Sequence, residues 1–89
     1  MNSKGSNIQT LYKLVGDRVE ALEFVAGEQS KTVGVPLRDL KIKQGVLISG
    51  IIRKNKVIIP SGADLIEPHD RVIVVTTNRY FTDLDEILE

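Results

Sequence analysis

The sequence contains no cysteine among its 89 residues. This absence excludes disulfide bonds, zinc–thiolate and iron–sulfur centres, and any thiol nucleophile. Aromatic side chains make up only 4% of the chain, and the twelve basic residues are balanced by twelve acidic ones. Because nucleic-acid-binding domains rely on basic surfaces and aromatic stacking, the composition argues against such a domain.

Long apolar runs are missing as well. The longest nearly continuous stretches, residues 46–52 and 72–75, are far shorter than the roughly 20 residues that a membrane-spanning helix needs. Residues 1–9 are largely polar and lack the apolar core of a secretory signal. We therefore expect a cytoplasmic domain without direct membrane insertion.

The apolar content, 42% of the chain, is sufficient for folding. A chain of this length forms one small domain and buries roughly 60–65% of the surface that its unfolded state exposes. Its core is therefore small, and burial against a second copy would stabilise it. The sequence favours a homodimer.

Motifs for catalysis are absent. The seven glycines form neither the dinucleotide-binding pattern nor the P-loop pattern. His69 precedes Asp70, but its place in a Glu-Pro-His-Asp turn favours a structural role over a catalytic dyad, because histidine tolerates positive φ. Ser49, Ser61 and Thr82 have no partner base in a recognisable motif. The sequence predicts that this domain is not an enzyme.

The N-terminal region divides into two parts. Residues 1–7 are small and polar, which predicts a flexible leader or the remnant of a cut from a longer chain. Four apolar residues then follow the i, i+3, i+4, i+7 spacing of a helix face: Ile8, Leu11, Tyr12 and Val15. Gly16 stands where a helix commonly ends, so residues 8–16 predict a helical segment, and residues 17–89 form the domain proper.

Two segments outside the middle of the chain predict strands. Residues 18–26 mix apolar and acidic side chains and end at Gly27, which favours a partly buried strand and leaves a helix as the alternative. Residues 71–77 follow a proline-containing turn and predict a second strand. Between these segments, Pro36 can occupy the first position of a short internal helix that ends near Lys41.

The middle of the chain predicts an antiparallel hairpin over residues 45–60. Two runs rich in β-branched residues, 46–52 and 57–59, flank a polar tip in which Asn55 tolerates positive φ. The first run is apolar on both faces, which is typical of a well-buried strand. The predicted fold is α+β, a small mixed or antiparallel sheet of four or more strands with a central hairpin, a short internal helix and a C-terminal helix.

The C-terminal helix is predicted by an apolar face and an acidic first turn. The apolar positions are Tyr80 or Phe81, Leu84, Ile87 and Leu88, with Thr82 as the N-cap. The carboxylates are Asp83, Asp85, Glu86 and Glu89. They lack the spacing of a calcium-binding loop, and acidic residues in a first turn interact favourably with the helix dipole. We therefore predict no metal site here.

Charge is unevenly distributed along the chain. Residues 31–58 carry seven basic side chains and one acidic one, a net charge of +6, whereas residues 59–89 carry two basic and seven acidic ones, a net charge of −5. The basic segment could attract an anion or the acidic half of a second copy. The alternative is that its lysines are simply solvated around the hairpin tip.

The order of several segments resembles the C-terminal lobe of TrkA-type potassium uptake regulators, the TrkA-C or RCK C-terminal domain. The segments are G-D-R-V-E-A-L-E (16–23), V-P-L-R-D-L (35–40), G-V-L-I-S-G-I-I-R (45–53), K-V-I-I-P-S-G (56–62) and E-P-H-D-R-V-I-V-V (67–75). The most specific feature is the combination of the I-I-R hairpin with the later E-P-x-D-R-V-I-V turn and strand. Family members usually carry glycine at the position of His69 and at the hairpin tip, where this chain has Lys54-Asn55.

The resemblance implies a noncatalytic regulatory lobe that dimerises. Through the full-length regulator it would act on a Trk- or Ktr-type membrane potassium channel subunit, at the inner face of the membrane. In such regulators the preceding lobe binds NAD(H) or ATP, so no cofactor is expected in this fragment. The alternatives are a purely structural dimerisation domain and a regulatory domain attached to another transporter class.

The resemblance also implies a candidate ligand. Some family members bind cyclic di-AMP at the dimer interface of this lobe, through the hairpin strands and their arginine. The matching positions are Ile51, Ile52, Arg53, Ile58, Ile59 and Pro60. In this interpretation Arg53 of each copy meets a phosphate and the apolar residues meet a base.

Overall fold

The computed structural model describes residues 8–15, 18–77 and 80–89. They form a five-stranded antiparallel sheet in the order β1-β2-β5-β3-β4. The strands are β1 (Ile8–Val15), β2 (Val19–Val25), β3 (Val46–Arg53), β4 (Lys56–Ile58) and β5 (Arg71–Thr77). Two 3-10 helices, Leu37–Asp39 and Leu84–Ile87, complete the fold. The sheet of four or more strands is confirmed, whereas the described residues contain no α-helix. The predicted leader, residues 1–7, lies outside the described residues.

Strand predictions from local pattern are confirmed in the middle of the sheet. The segment predicted over residues 18–26 is β2, so its helical alternative is wrong. It pairs along its whole length with β5, which occupies the predicted residues 71–77. The short helix predicted to begin at Pro36 and to end near Lys41 is shorter, a 3-10 helix over Leu37–Asp39, and Pro36 is its N-cap rather than its first residue.

The hairpin is confirmed, with its tip at Lys54 and Asn55. β3 pairs with β4 through Ile51–Ile58, Ile52–Val57 and Arg53–Lys56. Lys54 has φ 51° and Asn55 has φ 66°. Two consecutive residues at positive φ match a type I′ turn, whose twist fits that of the flanking strands. The sequence predicted this conformation for Asn55 alone.

The predicted N-terminal helix is wrong, because residues 8–15 form β1 at the edge of the sheet. A bulge explains the misleading spacing: Ile8 pairs with Phe24 and Leu11 with Leu22, so three residues of β1 advance along two residues of β2. A two-turn helix is barely stable by itself. The strand instead pairs with the outer edge of β2, whose backbone groups need partners. Gly16, the predicted helix end, lies outside the described residues.

The predicted C-terminal helix is also wrong, since only Leu84–Ile87 is helical and it is a 3-10 helix. Its N-cap is Asp83, not Thr82, and the Asp83 carboxylate accepts a hydrogen bond from the Asp85 backbone N–H at 3.1 Å. The chain then becomes extended, and Leu88 forms a bridge with Ile42. This pairing takes the backbone groups that a longer helix would need.

The described residues cover one face of the sheet. This core face carries the buried strand residues Leu22, Phe24, Ile48, Ile51, Val72 and Val74. Ile66, Phe81, Leu84 and Ile87 from the loops and the second 3-10 helix join them in one hydrophobic core. We call the opposite side the open face. By register its members in β2 to β5 are Val19, Ala21, Glu23, Val25, Leu47, Gly50, Ile52, Val57, Arg71, Ile73, Val75 and Thr77.

The turn before β5 is strained at the predicted residue. The Asp70 N–H donates to the Glu67 carbonyl at 3.1 Å, with Pro68 and His69 between them, and His69 has φ 76°. This is a type II turn, which favours glycine at the position of His69. The turn is aligned with β2 because the His69 N–H donates to the Ala26 carbonyl at 2.8 Å.

We expect His69→Gly to raise the free energy of unfolding by a few tenths to about 1 kcal/mol, since it removes the strain of positive φ. For a domain of this size, 1 kcal/mol corresponds to roughly 4–8 °C in Tm. The His69 imidazole lies 3.7 Å from the Glu28 carboxylate, and both side chains are exposed. Thermal unfolding of Glu28→Gln is therefore the control. A lower Tm for His69→Gly alone would contradict the strain argument.

Candidate functional site

The structure does not gather the predicted ligand residues on one surface. Ile51 is fully buried in the core, and Ile58 packs against that core. Ile52 lies on the open face. Ile59 is 78% exposed just after β4, and Pro60 lines a pocket at the edge of the sheet.

Arg53, the charged residue of the predicted site, is held within the chain. Its Nε donates to Asp70 Oδ1 at 2.9 Å and its Nη2 donates to Asp70 Oδ2 at 2.8 Å, a bidentate pair. Nη2 also donates to the Leu65 carbonyl at 3.0 Å, and Nη1 lies 3.3 Å from the Glu67 carboxylate. We call Arg53, Leu65, Glu67 and Asp70 the arginine clamp.

The electrostatics of the clamp keep Arg53 charged. Its hydrogen bond to Asp70 is the largest influence and raises the pKa of Arg53; desolvation opposes this rise, and the negative charges of Asp70, Glu67 and Asp64 add to it. A guanidinium whose pKa is raised above its already high ordinary value stabilises the folded chain at all lower pH. The clamp therefore gains no pH sensitivity from Arg53 in the physiological range.

The clamp joins the two motifs that make the family resemblance specific. Arg53 ends the I-I-R run of β3, and Asp70 ends the E-P-x-D turn before β5. Asp70 is 1% exposed and also accepts a hydrogen bond from the Glu67 N–H at 2.8 Å. The sequence analysis identified Arg53 as a site residue but did not predict that the carboxylates of Asp70 and Glu67 are its partners. A signal was available in the sequence: the I-I-R run carries a positive charge, and the E-P-H-D turn carries negative ones that could pair with it.

A second feature that the sequence analysis did not predict is an open pocket of about 230 Å³ beside β3. It is lined mainly by apolar side chains, with one arginine at its rim: Leu37, Arg38, Ile42, Val46, Leu47, Ile48, Pro60, Ser61 and Gly62. Gly62 permits this arrangement, because a Cβ there would lie 3.1 Å from the Cβ of Arg38. The pocket can accept an apolar group next to a positive charge.

The acidic C-terminal residues have a structural role where the structure describes their contacts. Asp85 accepts hydrogen bonds from Ser30 Oγ at 2.5 Å and from the Lys31 N–H at 3.0 Å. Ser30 in turn hydrogen-bonds Thr32 at 2.8 Å, so this carboxylate orders the loop after β2. Within the described ranges, no group of three or more His, Asp or Glu residues is arranged to hold a metal ion. That part of the chain also lacks a helix with the length and apolar character to cross a membrane.

The segment that contains these features matches a known protein family. The family model of the TrkA-C domain matches residues 21–89, a segment that includes the hairpin, the clamp and the pocket. The chain belongs to the TrkA-C domain family. The resemblance inferred from the residues is thereby confirmed, and it now has a structural basis in the clamp between the two TrkA-C motifs.

Relatives of this TrkA-C domain carry potassium uptake names. The chain is 40% identical over 70 residues to the Trk system potassium uptake protein TrkA homolog 1 of Methanosarcina mazei, covering 79% of this chain and 16% of that protein. It is 31% identical over 85 residues to TrkA homolog 2 of the same organism, covering 96% and 19%. It is 27% identical over 84 residues to the Trk system potassium uptake protein TrkA of Vibrio alginolyticus, covering 93% and 18%. The chain thus spans less than a fifth of the length of each of these relatives.

We expect Arg53→Ala to lower the free energy of unfolding by about 1.5–3 kcal/mol, because it leaves the Asp70 carboxylate buried without its cation. The value lies below that of a fully buried pair because the Arg53 side chain is 28% exposed. The double variant Arg53→Ala/Asp70→Ala should lose less than the sum of the single variants, by about 1 kcal/mol or more. Urea unfolding of all three variants measures this coupling.

Arg18→Ala, at an exposed position, is the matched control and should change stability by less than about 0.5 kcal/mol. Strictly additive losses for Arg53 and Asp70 would contradict the clamp.

Proposed function

We propose that this TrkA-C domain is a noncatalytic regulatory domain of a Trk- or Ktr-type potassium uptake system. The family match over residues 21–89 carries the proposal, and the potassium uptake names of the relatives support it. The domain forms a homodimer at the inner face of the membrane and acts on a channel subunit through the longer regulator. Its clamp keeps the hairpin and the Glu67–Pro68 turn in a fixed relation, as a rigid regulatory module requires.

The regulatory role is tested in the setting of a longer protein. Residues 8–89, which include all five strands, would replace the matching region of the Vibrio alginolyticus TrkA protein in cells that lack their own copy. We expect the chimera to restore rubidium or potassium uptake. Arg53→Ala should reduce that uptake, because the hairpin loses its anchor, whereas the exposed Lys54→Ala should not. A stable, expressed chimera without uptake would argue against the proposal.

The proposed ligand is cyclic di-AMP, bound near the hairpin by the predicted residues other than Ile51, which is fully buried in the core. Pro60 favours this form of the proposal, since it belongs to a pocket that combines apolar walls with Arg38. Arg53 favours the purely structural alternative, because a phosphate would have to compete with Asp70 and Glu67 for its guanidinium. The two forms therefore differ in whether the domain binds a ligand at all.

Calorimetry with cyclic di-AMP distinguishes the two forms. Ligand sensing predicts saturable heat at one ligand per two chains, and Pro60→Ala should weaken binding by about tenfold, which is about 1.4 kcal/mol. Arg53→Ala should abolish binding, with circular dichroism confirming that the variant is still folded. Pro68→Ala, a proline in the turn and outside the pocket, should bind normally. Absence of heat at high micromolar ligand would leave dimerisation and coupling as the function.

A further inference from the structure

The pocket beside β3 lies against an edge of the sheet. It is lined by three consecutive residues of this strand, Val46, Leu47 and Ile48. Successive side chains of a strand point to opposite faces, so a cavity that touches all three borders the edge of the strand and its backbone. One edge of β3 pairs with β5, and β4 pairs with the other edge only at residues 51–53. We call the uncovered stretch, residues 46–48, the free edge.

The hydrogen-bond register shows which backbone groups point away from β5 at the free edge. The Thr77 N–H donates to the Gly45 carbonyl at 3.0 Å, and these two residues continue the register of β3 and β5. Opposed residues of an antiparallel pair alternate between those that hydrogen-bond each other and those that do not. Leu47 therefore bonds to β5, whereas Val46 and Ile48 direct their N–H and C=O groups toward the pocket. No backbone hydrogen bond from outside the sheet reaches them within the described ranges.

The free edge stays open because β4 is short. Its last residue is Ile58, and Pro60 follows with no N–H to donate. The chain then bonds elsewhere, since the Gly62 carbonyl accepts from the Arg38 N–H at 3.0 Å. Unpaired N–H and C=O groups along a strand edge are a template for another extended chain. The free edge is about 10 Å long, enough for a short segment of such a chain.

Arg38 supplies a positive charge at the rim of the pocket. Its side chain is exposed, and in the part of the chain that the structure describes no ion pair or hydrogen bond engages its guanidinium. A guanidinium binds a carboxylate through two parallel hydrogen bonds. Arg38 also belongs to the segment 31–58, whose net charge is +6, and the pocket walls are mainly apolar. The chemistry of the site thus matches an apolar side chain with a carboxylate close to it.

We propose that the free edge and the pocket form a docking site for an extended segment of a partner protein, which adds as a strand beside β3. An apolar side chain of that segment fills the pocket, and an aspartate or glutamate side chain pairs with Arg38. Backbone hydrogen bonds to Val46 and Ile48 supply affinity, while the pocket and Arg38 select the sequence. This partner site is independent of the proposed regulatory function.

A random heptapeptide library displayed on phage and panned against the whole chain tests the chemistry of the partner. We expect the enriched peptides to combine apolar and acidic residues. Fluorescence anisotropy with an enriched peptide then measures its affinity, and Arg38→Ala should weaken binding about tenfold or more. Lys54→Ala is the matched control, because it removes one exposed charge from the same basic segment at the hairpin tip, away from the pocket, and it should bind normally. Circular dichroism checks that both variants are folded.

Backbone N-methylation of an enriched peptide tests strand addition. An added strand directs every second N–H toward β3, so methylation at those positions should abolish binding, whereas methylation at the intervening positions should not. A library that yields no such peptides, equal binding by Arg38→Ala, or binding that is insensitive to methylation would overturn the proposal.

A second copy of the chain is the competing occupant of the free edge. Val46→Pro removes one free N–H without touching the bonds to β5. Dissociation of a dimer by Val46→Pro, together with no peptide binding to the unmodified chain, would assign the edge to a second copy and overturn the proposal. The uptake experiment tests the regulatory function separately, so the two can fail independently.

Discussion

The bidentate pair between Arg53 and the buried Asp70 is the interaction on which the rest of the domain depends. Asp70 immediately precedes β5, the strand at the centre of the sheet between β2 and β3. The same turn donates a backbone hydrogen bond to Ala26 and so aligns β5 with β2. Arg53 is the last residue of β3, which is the other neighbour of β5, so its bond to Asp70 ties β3 to the start of β5. The ion pair and the backbone hydrogen bonds of the same turn together connect three strands that are far apart in the sequence.

The sequence predicted the strands whose pattern is local and failed where tertiary pairing decides. β-branched runs predicted β3 and β5, and the polar tip predicted the turn at Lys54-Asn55. β1 was missed because a bulge gave it a helical spacing that only pairing with β2 explains. The site shows the same limit. Arg53 was identified from a motif, but its partner Asp70 lies 17 residues away and only the fold brings them together.

The apolar character of both faces of β3 has a different explanation from the one that the pattern suggests. Two apolar faces predict a strand that is covered on both sides within its own domain. In this chain the core covers Ile48 and Ile51, while Leu47 on the other face is 62% exposed. A core of this size cannot supply a second layer, since a short chain buries a limited share of its surface. The second face of β3 is therefore apolar although the described residues place no second layer of core on it.

The clamp and the pocket occupy different parts of the domain. The clamp lies within one chain, so each lobe keeps its hairpin in place whether or not it is paired. None of the four clamp residues lines the pocket, so a change in the pocket can leave the clamp intact. Leu47 belongs to both regions, because it lies on the open face and also lines the pocket beside Pro60. A group that fills the pocket would therefore contact a side chain that also belongs to the open face, so the pocket and the open face share this residue.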